Sequence, residues 1–210
     1  MNMFLRSGLA LTILAFWAAP AWAAEKMVPE EGAIELMLLR QQSVQRELKL
    51  TADEVEKINK FAAQQWAKAQ KAHETSATEQ DKTFKDMAQE NHSFIEKTLK
   101  KEQAKRMHEI VLQKTGILAL TRKDVASKLK LTDDQIKKAH NLQREARRDA
   151  EELLHTTQKD QKRAKFRQLE ETGRKHVMEL LNDEQETTWK EMTGQPFTGD
   201  LAYFDPDTAK

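Results

Sequence analysis

Apolar positions along this chain fall on helical stripes, and the stripes repeat. Val44, Leu48, Leu50, Thr51 and Val55 recur 81 residues later as Val125, Leu129, Leu131, Thr132 and Ile136. Further on, His73, Phe84, Met87, Ile95, Leu99 and Gln103 recur 82 residues later as His155, Phe166, Leu169, Val177, Leu181 and Gln185, one inserted residue accounting for the changed offset. Upstream, Leu36, Met37 and Leu39 match Ile117, Leu118 and Leu120. Self-similarity at a fixed period is the signature of a repeated structural unit. β-branched residues do not alternate with polar ones as strands require, so the predicted fold is all-α: long antiparallel helices in two repeated helical units, with no sheet.

Punctuation supports this reading. After Pro29 the next proline is Pro196, and only Gly32, Gly116, Gly173 and Gly194 interrupt that interval, which leaves it free to be helical almost throughout. Each unit divides alike: a short helix (roughly 33 to 48, and 121 to 130), a helix beginning at Thr51 or Thr132, and a further segment through Leu99 or Leu181. Gly116 stands where the first unit should end and can supply a left-handed stop. His73 to Thr78 and the equivalent His155 to Thr157 are polar enough to be either a turn or an exposed stretch of one long helix. The expected organisation is a signal over 1–23, units over 24–116 and 117–195, and an extended or disordered tail over 196–210, whose Phe197, Tyr203 and Phe204 are able to fold back on the helices.

The signal rests on Arg6, the apolar run Gly8 to Ala19, and Ala21-Trp22-Ala23, which fits the small-x-small rule with cleavage after Ala23. A periplasmic or secreted location without stable membrane insertion follows as an expectation. Without Arg6 the 35 basic residues become 34, equal to the 34 acidic ones. Such balance argues against a nucleic-acid partner, which calls for a basic excess. With no cysteine there is no disulfide framework, thiolate metal site or thiol nucleophile.

Four segments share a Leu-x-x-x-Gln/Glu pattern, opening at Leu50, Leu99, Leu131 and Leu181. In three of them Thr51, Thr132 or Asn182 can cap a helix while Glu54, Gln135 or Gln185 reaches back to the capping residue's amide, forming a capping box. Leu50 with Val55 and Leu131 with Ile136 are spaced for hydrophobic staples. The copy at Leu99 has Lys100 at the capping position, so its helix is expected to run through. One such box says little, since it starts helices in unrelated proteins. Repetition gives it weight, and these segments resemble the LTXXQ-motif family of periplasmic proteins, the Spy/CpxP-like proteins. The full Leu-Thr-x-x-Gln stands only at Leu131 to Gln135, and Glu54 replaces Gln in the first copy. The resemblance implies an all-helical, extracytoplasmic protein that works by binding unfolded or envelope proteins, often as a curved dimer, within a family that also includes metal-responsive sensors. Four segments in one chain point to an internal pseudo-dimer, with a homodimer as the alternative.

Other chemistry is thin. Glu152 to His155 gives the Glu-x-x-His step of di-iron bundles, but the equivalent His73 follows Gln70, and no second pair exists. Met107 beside His108, and His176 near Met178, are neighbours that do not share a helix face. Neither metal nor other cofactor is expected. No phosphate loop or nucleophile elbow is visible, which argues against an enzyme. Charge is uneven, however: Thr121 to Arg148 holds nine cations against four acids. Within this run Lys137, Lys138, Leu142, Arg144, Ala146, Arg147 and Arg148 are the candidate partner-binding residues, charge speeding encounter and apolar contact holding the complex. The leading expectation is a chaperone or envelope-stress accessory protein. The alternatives are a cell-envelope scaffold with one fixed partner and, third, a metal-sensing accessory protein.

Overall fold

The computed structural model describes residues 31–154 and 159–201. The predicted signal and cleavage site, His155 to Thr157, Tyr203 and Phe204 lie outside the described residues. Every regular element described is helical, as the all-α reading requires: α1 (Glu31–Leu39), α2 (Gln42–Glu47), α3 (Ala52–Ala72), α4 (Ala77–Thr98), α5 (Lys101–Thr115), a 3₁₀ turn (Gly116–Ala119), α6 (Lys123–Leu129), α7 (Asp133–Leu154), α8 (Lys159–Leu180) and α9 (Asp183–Thr193). No described helix is long and apolar enough to cross a membrane. Contacts divide the chain into a first unit, Pro29–Val111 with Thr198–Ala202, and a second containing Leu112–Phe197.

In the first unit α3 and α4 form an antiparallel hairpin in which Phe61 stands opposite Phe94 and Gln65 opposite Glu90. Helix α1 packs mainly on α4. The crossing is close: a Cβ added to Gly32 would lie 2.5 Å from the Asn91 Cβ and 2.7 Å from the Ala88 carbonyl. Only glycine fits there. Leu36, Leu38 and Leu39 of α1, Val44 of α2, Ile58 of α3, and Met87 and Ile95 of α4 are buried, each full burial stabilising by about 1.5–3 kcal/mol. The stretch predicted as one helix over 33 to 48 is broken at Gln41, which takes an extended conformation. The Gln45 amide caps the break by donating to the Leu39 carbonyl at 2.9 Å.

The polar stretch after α3 is a turn. His73 ends the helix, and Ser76 with Glu79 forms a further capping box that starts α4.

In the second unit the 3₁₀ turn packs on both helices of the α7–α8 pair. Gly116 has φ of 48°, the left-handed geometry foreseen for it, and α5 stops beside it at Thr115. Its crossing with α8 is again at a small residue, a Cβ on Gly116 reaching within 3.9 Å of the Gly173 backbone. Leu112, Ile117, Leu118, Leu120, Val125, Leu129, Val177 and Trp189 form one buried cluster. Gln143, 4% exposed, has its amide nitrogen satisfied beside this cluster: it donates to the Ile117 carbonyl at 3.0 Å and the Thr121 hydroxyl at 2.9 Å.

Candidate functional site

Where α2 ends, Lys49 takes φ of 52°. The Leu50 N–H donates to the Gln45 carbonyl at 3.0 Å and the Lys49 N–H to the Arg46 carbonyl at 3.1 Å, the paired bonds of a Schellman stop. Lys130 has the same φ of 52°, with Leu131 bonded to Ala126 at 3.0 Å and Lys130 to Ser127 at 3.2 Å. Thr51 and Thr132 follow at once, so each chain reversal is a stop and a start fused. The Glu54 N–H donates to the Thr51 hydroxyl at 3.2 Å and the Thr51 N–H to the Glu54 carboxylate at 2.8 Å. Thr132 and Gln135 repeat this at 3.2 and 3.0 Å, and Asn182 and Gln185 at 2.9 and 3.0 Å.

The fourth segment corrects an expectation. The helix does not run through Leu99: α4 ends there in an extended conformation and α5 begins at Lys101. Lys100 offers no capping side chain, but the Gln103 carbonyl oxygen accepts the Lys100 N–H at 2.7 Å, and half a box suffices because Leu99 is buried.

Spacing did not reveal that the segments meet in pairs. In the first unit the Gln103 amide donates to the Leu48 carbonyl at 3.3 Å and to the Glu54 carboxylate at 3.4 Å. In the second, Gln135 and Gln185 exchange amide bonds at 2.7 and 3.0 Å, while Gln135 donates to the Leu180 carbonyl at 2.9 Å and Gln185 to the Lys130 carbonyl at 3.4 Å. Gln103 and Gln185 are only 8% and 7% exposed. The repeated motif therefore does two tasks: it starts a helix and fastens that start to the other helix start of its unit. The Thr51 backbone bond, aided by Gln103 and Lys100 against the opposing effect of burial, holds the Glu54 carboxyl below its ordinary range.

The basic run splits by environment. Lys137, Lys138, Arg144 and Arg148 are exposed, with Arg144 donating to the Asn141 side chain at 2.5 Å. Leu142 and Ala146 pack against the buried cluster of the second unit. Burial lowers the Arg147 pKa. The apolar members expected to hold a partner thus face the core, because a helix carrying one apolar stripe spends it on its own hairpin. What stays outside in this run is charge.

An apolar surface that the sequence did not single out lies on the first unit. Phe61 and Phe94 stack with centroids 3.9 Å apart and planes within 7°, and both are partly exposed. Together with Lys68, Asp86, Gln89, Glu90, Ser93 and Lys97 they line an open groove of about 760 Å³. Glu90 accepts from Lys68 at 2.5 Å and Gln65 at 2.7 Å, bonds that lower its pKa. The signal available in the sequence was two phenylalanines at matching antiparallel positions. Among the described residues, no group of three or more His, Cys, Asp or Glu side chains is placed to hold a metal ion. His73 instead pairs with Gln80 at 2.9 Å and meets the edge of Phe84.

Comparison with known proteins gives no match: no family model fits the chain, and no curated protein or solved structure is similar to it.

Proposed function

We propose that this chain is an exported helical binding protein of the Spy/CpxP type, which holds unfolded or partly unfolded envelope proteins and uses neither cofactor nor covalent chemistry. The observation carrying this reading is the partly exposed Phe61–Phe94 stack in an open groove that charged side chains also line. An open groove that combines an aromatic pair with charged side chains suits mobile polypeptide better than a small molecule, which favours an enclosed pocket. Exposed cations at Lys137, Lys138, Arg144 and Arg148 speed encounter with acidic segments. Both units carry the same fused stop and start and the same paired junction, which supports an internal pseudo-dimer.

The test is suppression of aggregation by the processed chain, using several unrelated chemically unfolded substrates. Protection at near-stoichiometric ratios is expected, reduced several-fold in a Phe61→Ser/Phe94→Ser variant of unchanged helical content. Failure to protect any of them removes the reading. A single tight partner in a pull-down, without general protection, favours the scaffold alternative.

A further inference from the structure

Beyond the groove, the second unit holds its own residues 195–197 through side chains at the end of α5. Helix α9 ends at Thr193, and Gly194 turns the chain away with φ of 62°. The last carbonyls of a helix lack intrahelical partners, and the Thr193 carbonyl is taken by the Gln113 amide at 2.6 Å. That bond fixes the plane of the Gln113 side chain. Its remaining donor meets the Gln195 carbonyl at 2.8 Å, and its oxygen accepts the Phe197 N–H at 2.7 Å. One primary amide thus reads the carbonyl of one residue and the N–H two residues on, as a neighbouring strand does. Pro196 sits between them, exposed, with no N–H to leave unpaired. The Phe197 ring is 8% exposed and lies beneath the Lys114 ammonium, 5.6 Å from its centroid, within cation–π range. Lys114 is itself held by Glu170 at 3.2 Å.

Two of the groups that hold this segment have anchors outside residues 195–197: Gln113 at the end of α9 and Lys114 at Glu170. The bonds to the occupant go to main-chain atoms, which any polypeptide has, and selection comes from one aromatic ring following a proline. We propose that Gln113, Lys114 and the Phe197 seat form a docking slot for an extended Pro-aromatic segment of another polypeptide, which the chain's own residues 195–197 fill in cis as a displaceable strap. A tethered occupant competes at an effective concentration in the millimolar range, so the intact strap masks the slot from weak ligands and admits strong or abundant ones.

The test uses the full processed chain and a fluorescent peptide of residues 193–199, Thr-Gly-Gln-Pro-Phe-Thr-Gly. Phe197→Ala weakens the strap and leaves the slot, so the peptide should bind this variant saturably and at least tenfold more tightly than the unsubstituted chain. Binding should vanish in Gln113→Ala/Phe197→Ala and with a peptide carrying alanine for its phenylalanine. No saturable binding to Phe197→Ala, or equal binding to the double variant, overturns the proposal. A second measurement needs no substitution: excess peptide should accelerate hydrogen exchange at the Phe197 N–H of the native chain as the strap is displaced. Unchanged exchange overturns the proposal as well.

Discussion

Replacing Gln185 by alanine separates a motif that merely starts a helix from one that fastens two helix starts together. As a cap alone, Gln185 is worth no more than its partner Asn182, whose truncation should cost about 1 kcal/mol. The structure assigns it more. The Gln185 oxygen accepts from the Asn182 N–H at 3.0 Å and the Gln135 amide at 2.7 Å, while its own amide donates to Gln135 at 3.0 Å and Lys130 at 3.4 Å. The site is 7% exposed, so water does not readily replace the lost partners, and each buried group left unsatisfied costs about 1–3 kcal/mol. Gln135 keeps its bonds to Leu180 and Thr132, which limits the damage. Gln185→Ala should therefore destabilise by about 3 kcal/mol, against about 1 kcal/mol for Asn182→Ala. Urea denaturation followed by helical circular dichroism measures both, and a Gln135→Ala/Gln185→Ala double-mutant cycle isolates the link, with an expected coupling of about 1–2 kcal/mol. Equal costs at Asn182 and Gln185, or a coupling below about 0.5 kcal/mol, would refute the fastening role.

Three further outcomes follow from single positions. Gly32→Ala places a Cβ 2.5 Å from Asn91 and 2.7 Å from a backbone oxygen, so it should destabilise by about 2–3 kcal/mol as an overpacking change, whereas Gly173→Ala meets only Ile117 at 3.9 Å and should stabilise α8 by about 0.5–1 kcal/mol; thermal melts distinguish the signs. Lys49→Gly and Lys130→Gly relieve φ of 52° and should each stabilise by about 0.5–1 kcal/mol, and a loss in either would deny the left-handed stop. Glu54 has a folded-state pKa below its unfolded value, so its contribution is complete above the unfolded pKa, about 4.3, and is lost as pH falls through the folded-state value; the stability gap between the unsubstituted chain and Glu54→Gln should shrink between pH 7 and pH 3, and a constant gap would count against the carboxylate's bonds.

Much of the backbone was legible because its causes are local. Thr51, Thr132 and Asn182 cap helices through residues three positions on, and Gly116 turns left-handed where glycine is favoured. Ser76 and Glu79 obey the same capping rule and carried the same signal, which settles the His73 turn. The stops at Lys49 and Lys130 were hidden because their residue type argues against the conformation they adopt. The break at Leu99 was hidden because Lys100 has no side-chain oxygen to cap the helix, which leaves the Gln103 half of the box alone. Leu142 and Ala146 misled for a different reason: an apolar stripe has the same spacing whether it faces the core or a partner, and only packing against the buried cluster tells which.

The junctions were out of reach because their partners lie 49 and 50 residues apart, where no local rule operates. They also explain why one glutamate is tolerated among glutamines. A motif glutamine needs an acceptor for its own helix start and a donor for the opposite one, and a primary amide supplies both. Gln135 uses its donor on the Leu180 carbonyl and on Gln185. A carboxylate at the equivalent Glu54 cannot donate, so the first junction works only by drawing its cross-link from the Gln103 amide, with Lys100 placed 3.7 Å away to balance the charge. Exchanging both Glu54 and Gln103 for acids would leave two acceptors facing each other. The pattern thus tolerates glutamate on one side of a pair and not on both, a constraint set by donor count that helix capping alone would never impose.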